Sequence, residues 1–213
     1  AHAEIVSIKT DEAEKVTGVF KVFTGDDIAK VCSPWVGVLT HLEGLRSPPQ
    51  HALAVGRVLW QGEPLVAVVA ESRALAEDVL ELIEVDYKEL PPAVDMEKAL
   101  DGDAEVIHDV YENNLCWERN VNQGDVDAAF AASEVVIEEE YRFGRHTGVT
   151  LESRSIVADY DAGEEMLTLY HSTQAPHMKQ ALFAKHLDLD EHKIRIICRD
   201  VGGAFGLKAH AYG

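Results

Sequence analysis

Apolar and polar positions alternate from the start of the chain. Residues 5–8 and 18–23 read as strands rich in β-branched and aromatic side chains. The polar stretch 11–17 between them predicts a short turn of helix. Across 32–51, Pro34, Pro48, Pro49, Gly37 and Gly44 interrupt every periodic pattern, which predicts a long loop. Residues 64–70 form a continuous apolar run, the pattern of a strand buried on both faces. A helix then opens at 71–73 and places Leu75, Val79 and Leu82 at positions i, i+4 and i+7. Residues 83–87 alternate like a half-buried strand, which Leu90, Pro91 and Pro92 end. A strand–helix–strand unit with short joints predicts an α/β architecture.

Periodicity fades between Asp95 and Asn122, which places a linker at 106–120 between a first domain, 1–105, and a second, 121–213. Asp125 is suited to cap a helix over 126–132, and 135–143 alternate as a long strand would. Strands at 155–160 and 166–171 flank Asp161-Ala162-Gly163, a hairpin signal. Pro176 suits the first position of a helix running to about residue 187. A last strand, 194–197, leads into Gly202-Gly203-Ala204-Phe205-Gly206.

Composition, 46% hydrophobic and 27% charged, is that of an ordinary globular protein. The net charge of −19 argues against nucleic acid, because a phosphate backbone requires clustered lysine and arginine. No apolar run is long enough to span a membrane. The three cysteines, Cys32, Cys116 and Cys198, lie far apart. Their spacing suits neither a disulfide framework nor an iron–sulfur site, and it points to a reducing, cytoplasmic setting.

Three segments are candidates for chemistry. The glycine-rich loop after the last strand permits positive φ and close approach of backbone N–H groups to a ligand. It lacks the spacing of a dinucleotide fingerprint, so a plain turn and a ligand loop both stay open. In Ser172-Thr173-Gln174-Ala175-Pro176-His177, between a strand and a helix start, Gln174 is able both to donate and to accept hydrogen bonds. Glu152 and Arg154 flank Ser153 in a run expected to be buried, as a structural ion pair rather than a catalytic acid. The histidines, His171, His177, His186 and His192 among them, lack zinc-helix spacing and read as surface or backbone-bonded groups.

Several pieces recur together and in order in one family. Ala1-His2-Ala3-Glu4-Ile5, Gly18 to Gly25, Gly62 to Ala70 and Glu84-Val85-Asp86-Tyr87 resemble the α/β-hammerhead domain of molybdenum hydroxylase large subunits. These are the xanthine dehydrogenase/aldehyde oxidase family. Gly124 to Phe130, Leu151-Glu152-Ser153-Arg154, the Ser172–His177 motif and Asp200 to Gly206 resemble the start of the molybdopterin-binding domain that follows it. The resemblance spans the whole chain, and the set as a whole carries it. The implied fold class is α/β (α+β), a hammerhead domain followed by the N-terminal part of the cofactor domain.

The resemblance implies that Gln174 hydrogen-bonds an apical oxo ligand of molybdenum and that Phe205 packs beside the metal. Gly203, Ala204 and Gly206 would bring backbone to the cofactor. None would ligate the metal directly; they orient and tune it. No catalytic residue is assigned within the chain, since the family's general-base glutamate is expected beyond Gly213.

The implied cofactor is molybdenum–molybdopterin in its cytosine dinucleotide form. Iron–sulfur clusters and FAD would sit on partner subunits of a hetero-oligomer. The implied reaction hydroxylates an aldehyde, N-heterocycle or related small molecule with water as the oxygen source. Ala209 follows Lys208 where purine-oxidising members carry glutamate. Ser172–His177 and Asp190-Glu191-His192-Lys193 lean toward the carbon monoxide dehydrogenase-like branch. The competing expectation is a non-catalytic assembly module that docks an iron–sulfur subunit.

Overall fold

The computed structural model describes residues 2–36, 42–144 and 146–210. Strand β1 (Ala3–Lys9) lies at the centre of a three-stranded antiparallel sheet, between β3 (Arg57–Val58) and β5 (Glu84–Glu89). A register shift between Ile5 and Ser7 leaves Val6 outside the ladder and exposed. Strand β2 (Val19–Thr24) pairs with β4 (Val66–Ala70) in a separate antiparallel ribbon.

Three helices bridge these strands: α1 (Asp11–Glu14), α2 (Gly25–Ile28) and α3 (Arg73–Leu80). Ser72 starts α3, its Oγ accepting the Leu75 N–H at 3.2 Å. Ala13, Val22 and Val79 form the buried centre where α1, β2 and α3 meet, with Leu75, Val66 and Val68 packed around them. A second cluster joins Ala3, Ala54 and Val58. Gly25 is required there, because a Cβ on it would stand 2.0 Å from the Ala54 carbonyl oxygen.

Residues 93–117 fold back over this unit without forming a sheet. Asn114 organises them: its Nδ2 donates to the Ala99 and Glu105 carbonyls, and its Oδ1 accepts from the Ile107 N–H. Arg57–Asp109 at 2.6 Å and Trp117 Nε1 to the Glu43 carbonyl at 3.1 Å tie the segment down.

Helix α4 (Val126–Ala132) begins at Asp125, whose Oδ1 accepts from the Ala128 N–H at 2.9 Å. Strands β6 (Ile156–Asp161) and β7 (Met166–His171) form the hairpin, and Asp161 Oδ1 accepts the Gly163 and Glu164 amides inside its turn. Helix α5 (Pro176–Leu187) then crosses over, so that β8 (Ile194–Ile197) pairs with β7 in parallel. Leu167, Leu169, Ala184 and Ile194 are the core of this unit. Ser33 links the two halves, its N–H donating to the His186 carbonyl at 2.9 Å and its Oγ meeting His186 Nδ1 at 3.0 Å. Among the described residues no helix is long and apolar enough to cross a membrane.

Three expectations need correction. Residues 135–143 form no strand: the alternation is real, but the segment pairs with no described strand, and Val135, Ile137, Tyr141 and Phe143 stand exposed. The apolar run at 64–70 is not buried on both faces; β4 alternates between half-buried and exposed positions because only one face of its ribbon meets α3. The strand–helix–strand order β4–α3–β5 does form, with its two strands in different sheets. The run around Glu152 is largely exposed. Part of the expected long loop, residues 37–41, lies outside the described residues.

Gly25→Ala is expected to cost about 1–3 kcal/mol or more through overlap with the Ala54 backbone. Gly102→Ala, where nothing lies within 4 Å, should be nearly neutral. Denaturant midpoints of the two variants measure the difference, and equal midpoints would contradict the packing described.

Candidate functional site

Because β7 and β8 run parallel and in register from Leu167↔Ile194 to Tyr170↔Ile197, both chains leave the sheet at the same edge. Ligand sites in α/β sheets favour such strand ends. The segment after β7 carries Ser172, Thr173 and Gln174, and the segment after β8 carries the glycine-rich loop. Thr173, 1% exposed, joins them: its Oγ1 donates to the Lys208 carbonyl at 2.8 Å and accepts from the Ala175 N–H at 3.2 Å. Cys198 Sγ donates to the Thr173 carbonyl at 3.0 Å.

Gln174 points the other way and is exposed. Its N–H donates to the Lys208 carbonyl at 3.4 Å, and its Oε1 accepts the Gly206 N–H at 3.1 Å. A backbone N–H only donates, so the amide oxygen must be the atom held inside. The NH₂ group is left as a donor for an acceptor outside the loop pair. Two of the anticipated site residues, Gln174 and Gly206, are thus in direct contact.

Phe205 lies in the same loop at φ 47°, between Gly203 at 94° and Gly206 at 87°. A left-handed conformation costs a non-glycine residue roughly 1–2 kcal/mol. The ring gains little burial in return, since Phe205 is 79% exposed. Gly148 backs the loop, where a Cβ would come within 2.8 Å of Phe205 Cβ. Ala204 closes a turn by accepting the Leu207 N–H at 2.9 Å. An exposed ring held in a strained backbone is a common mark of a functional loop.

The partner of Glu152 is not the neighbouring Arg154 but Lys208, at 2.5 Å. The same Glu152 Oε2 accepts from Ser172 Oγ at 2.6 Å and from the Gly202 N–H at 2.7 Å. These donors, Lys208 foremost, pull the Glu152 carboxyl down to about 2. Lys208 is buried, which no short-range pattern announced; the only hint was a lone lysine following a glycine-rich loop. Lys179 is buried too and donates to the His210 carbonyl. Burial, reinforced by the nearby Arg154 charge, lowers its pKa to about 8.

His186 is buried against Ser33, and His171 Nδ1 bonds the Ser155 carbonyl at 2.9 Å. Among the described residues no group of three or more histidine, cysteine, aspartate or glutamate side chains could hold a metal ion. A cavity of about 620 Å³, lined by His2, Arg46, Trp60, His108 and Tyr111 among others, lies away from these loops in the first half of the chain.

Residues 107–213 match the molybdopterin cofactor-binding domain, and residues 1–91 match the aldehyde oxidase and xanthine dehydrogenase a/b hammerhead domain. The chain belongs to this family of molybdenum hydroxylases. It is 36% identical, over its full length and 26% of the relative's, to the nicotine 6-hydroxylase large subunit of Paenarthrobacter nicotinovorans. It is 35% identical to the carbon monoxide dehydrogenase large chain of Afipia carboxidovorans, covering all of this chain and 27% of that one.

Quinoline 2-oxidoreductase from Pseudomonas putida 86 superimposes with a TM-score of 0.92 at 35% identity, covering 99% of this chain and 27% of that structure. The chain therefore spans about a quarter of the length of these relatives. The mixed architecture, hammerhead unit and cofactor-domain unit, is the one the resemblance implied.

Acid stability follows from Glu152. Its folded pKa lies below the ordinary 4.5, so its stabilisation is complete above that pH and is lost as the pH falls toward about 2. Glu152→Gln should be less stable than the parent at pH 7, with the gap closing between about pH 4.5 and 2. Denaturation midpoints across that range read the effect; a gap independent of pH would contradict it.

Proposed function

We propose that the chain is the portion of a molybdopterin-binding large subunit that presents Gln174 and the Phe205 loop to the cofactor. The enzyme would hydroxylate an aldehyde, N-heterocycle or related small molecule with water as oxygen source. The observation that carries this reading is the Gln174–Gly206 contact, which turns the amide NH₂ outward as a fixed donor. The fit is chemical as well as geometric. The described residues offer no metal-ligand cluster, which suits a metal brought in by its own organic ligand. When bound, that cofactor supplies the redox chemistry.

Within the chain, Gln174 would donate to an acceptor atom of the cofactor, Phe205 would pack beside it, and Gly203, Ala204 and Gly206 would allow close backbone approach. The cofactor's cytosine dinucleotide form and the iron–sulfur and FAD-bearing partner subunits in the cytoplasm belong to this proposal. So do the domain limits, 1–105 and 121–213 joined by a linker at 106–120. The exposed apolar side chains of Val135, Ile137, Tyr141, Phe143 and Val149 support packing against the remainder of the large subunit. Names of relatives such as nicotine 6-hydroxylase and quinoline 2-oxidoreductase, with Ala209 beside Lys208, favour N-heterocycles over purines.

The test is the complete subunit produced with its partners, assayed for molybdenum, released nucleotide and hydroxylation of aldehydes and N-heterocycles. Gln174→Ala should lower turnover about 10- to 100-fold without unfolding the protein, as loss of a hydrogen bond around a metal site typically does. Phe205→Ala should raise KM more than it lowers molybdenum content. The 213 residues alone should show no hydroxylase activity. A complete assembly that binds no molybdenum would favour an assembly module instead.

A further inference from the structure

We infer that Glu152 is a positioning residue that fastens both ends of the glycine-rich loop and so sets the places of Gln174 and Phe205. The inference rests on the functional reading above, which gives those two residues their importance. One carboxylate oxygen receives donors from three chain segments, at sequence separations of 20, 50 and 56 residues. At the loop's entrance, Gly202 N–H donates to Oε2 at 2.7 Å, and the Glu152 N–H returns a longer bond to the Gly202 carbonyl at 3.4 Å. The approach is close enough that a Cβ on Gly202 would stand 2.6 Å from Glu152 Cβ.

At the loop's exit, the Lys208 ammonium reaches the same oxygen, and the Lys208 side chain is 0% exposed. Burying an ammonium is costly without a counter-charge, and Glu152 is the acid Lys208 meets. The Lys208 carbonyl in turn accepts from Thr173 Oγ1 and the Gln174 N–H. Glu152 therefore acts on Gln174 through Lys208, and on Phe205 by holding the loop closed around it. The third donor, Ser172 Oγ at 2.6 Å, anchors the end of β7 to the same point. Three segments converge on one oxygen, and the two residues that face outward hang between them.

Glutamine in place of Glu152 keeps an acceptor for Ser172 and Gly202 but removes the charge that holds Lys208. The experiment compares the complete subunit, assembled with its partners, as parent, Glu152→Gln, and the double variant Glu152→Leu/Lys208→Met. The double variant leaves no buried unpaired charge, so it remains informative if the single variant fails to fold. Amide hydrogen exchange over 202–208 should quicken about tenfold or more in the variants, while β7, β8 and α5 keep their protection. Molybdenum content should stay near the parent's, and kcat should fall about 10- to 100-fold with KM little changed.

Unchanged exchange over 202–208 would overturn the inference. So would a loss of protection spread evenly over β6, β7, β8 and α5, which marks a purely structural ion pair. A parent protein without molybdenum counts against the functional reading alone. The exchange comparison still decides whether Glu152 fastens the loop.

Discussion

The parallel pairing of β7 and β8 is the constraint on which the candidate site depends. Two adjacent strands running the same way require a crossover, and α5 provides it with its buried Ala184 against Leu167, Leu169 and Ile194. Antiparallel pairing would send the two exits to opposite edges of the sheet. In parallel, the Ser172–Gln174 turn and the glycine-rich loop emerge side by side, close enough for Gln174 to accept the Gly206 amide. The hydrophobic core under α5 thereby sets the direction in which a polar side chain faces.

Charge burial completes what the strand pairing begins. This chain carries a net charge of −19, yet its fully buried ionisable side chains include two lysines. Lys208 is compensated by an acid contributed from 56 residues away. Lys179 has a backbone carbonyl as its bonded partner, and its lowered pKa expresses that poorer compensation. The contrast explains why Glu152 departs so far from an ordinary carboxylate while remaining partly exposed. An ion pair with one end dry joins loops whose largest apolar side chain, Phe205, stays exposed.

The region between α4 and β6 follows a different logic. Its apolar residues alternate as in a strand but pair with no described strand, and Leu151 and Phe143 are almost wholly bare. Backbone polar groups and apolar side chains left together in water are stabilised by whatever covers both. This fits a chain that covers about a quarter of its relatives' length.

Local order was legible from the sequence wherever a short-range force decides it. Asp125 as a helix cap, Pro176 at a helix start and Asp161-Ala162-Gly163 as a hairpin turn each act over a few residues, and each forms where expected. The family, too, was readable, because its motifs are local strings kept in order. Long-range pairing was not readable in the same way. The alternation at 135–143 and the apolar run at 64–70 state what a segment would bury, but not which of its faces the fold will cover. The same holds for charge: Glu152 and Arg154 sit two residues apart, yet folding gives Glu152 to Lys208, because only the tertiary structure decides which ammonium loses its water and must be matched.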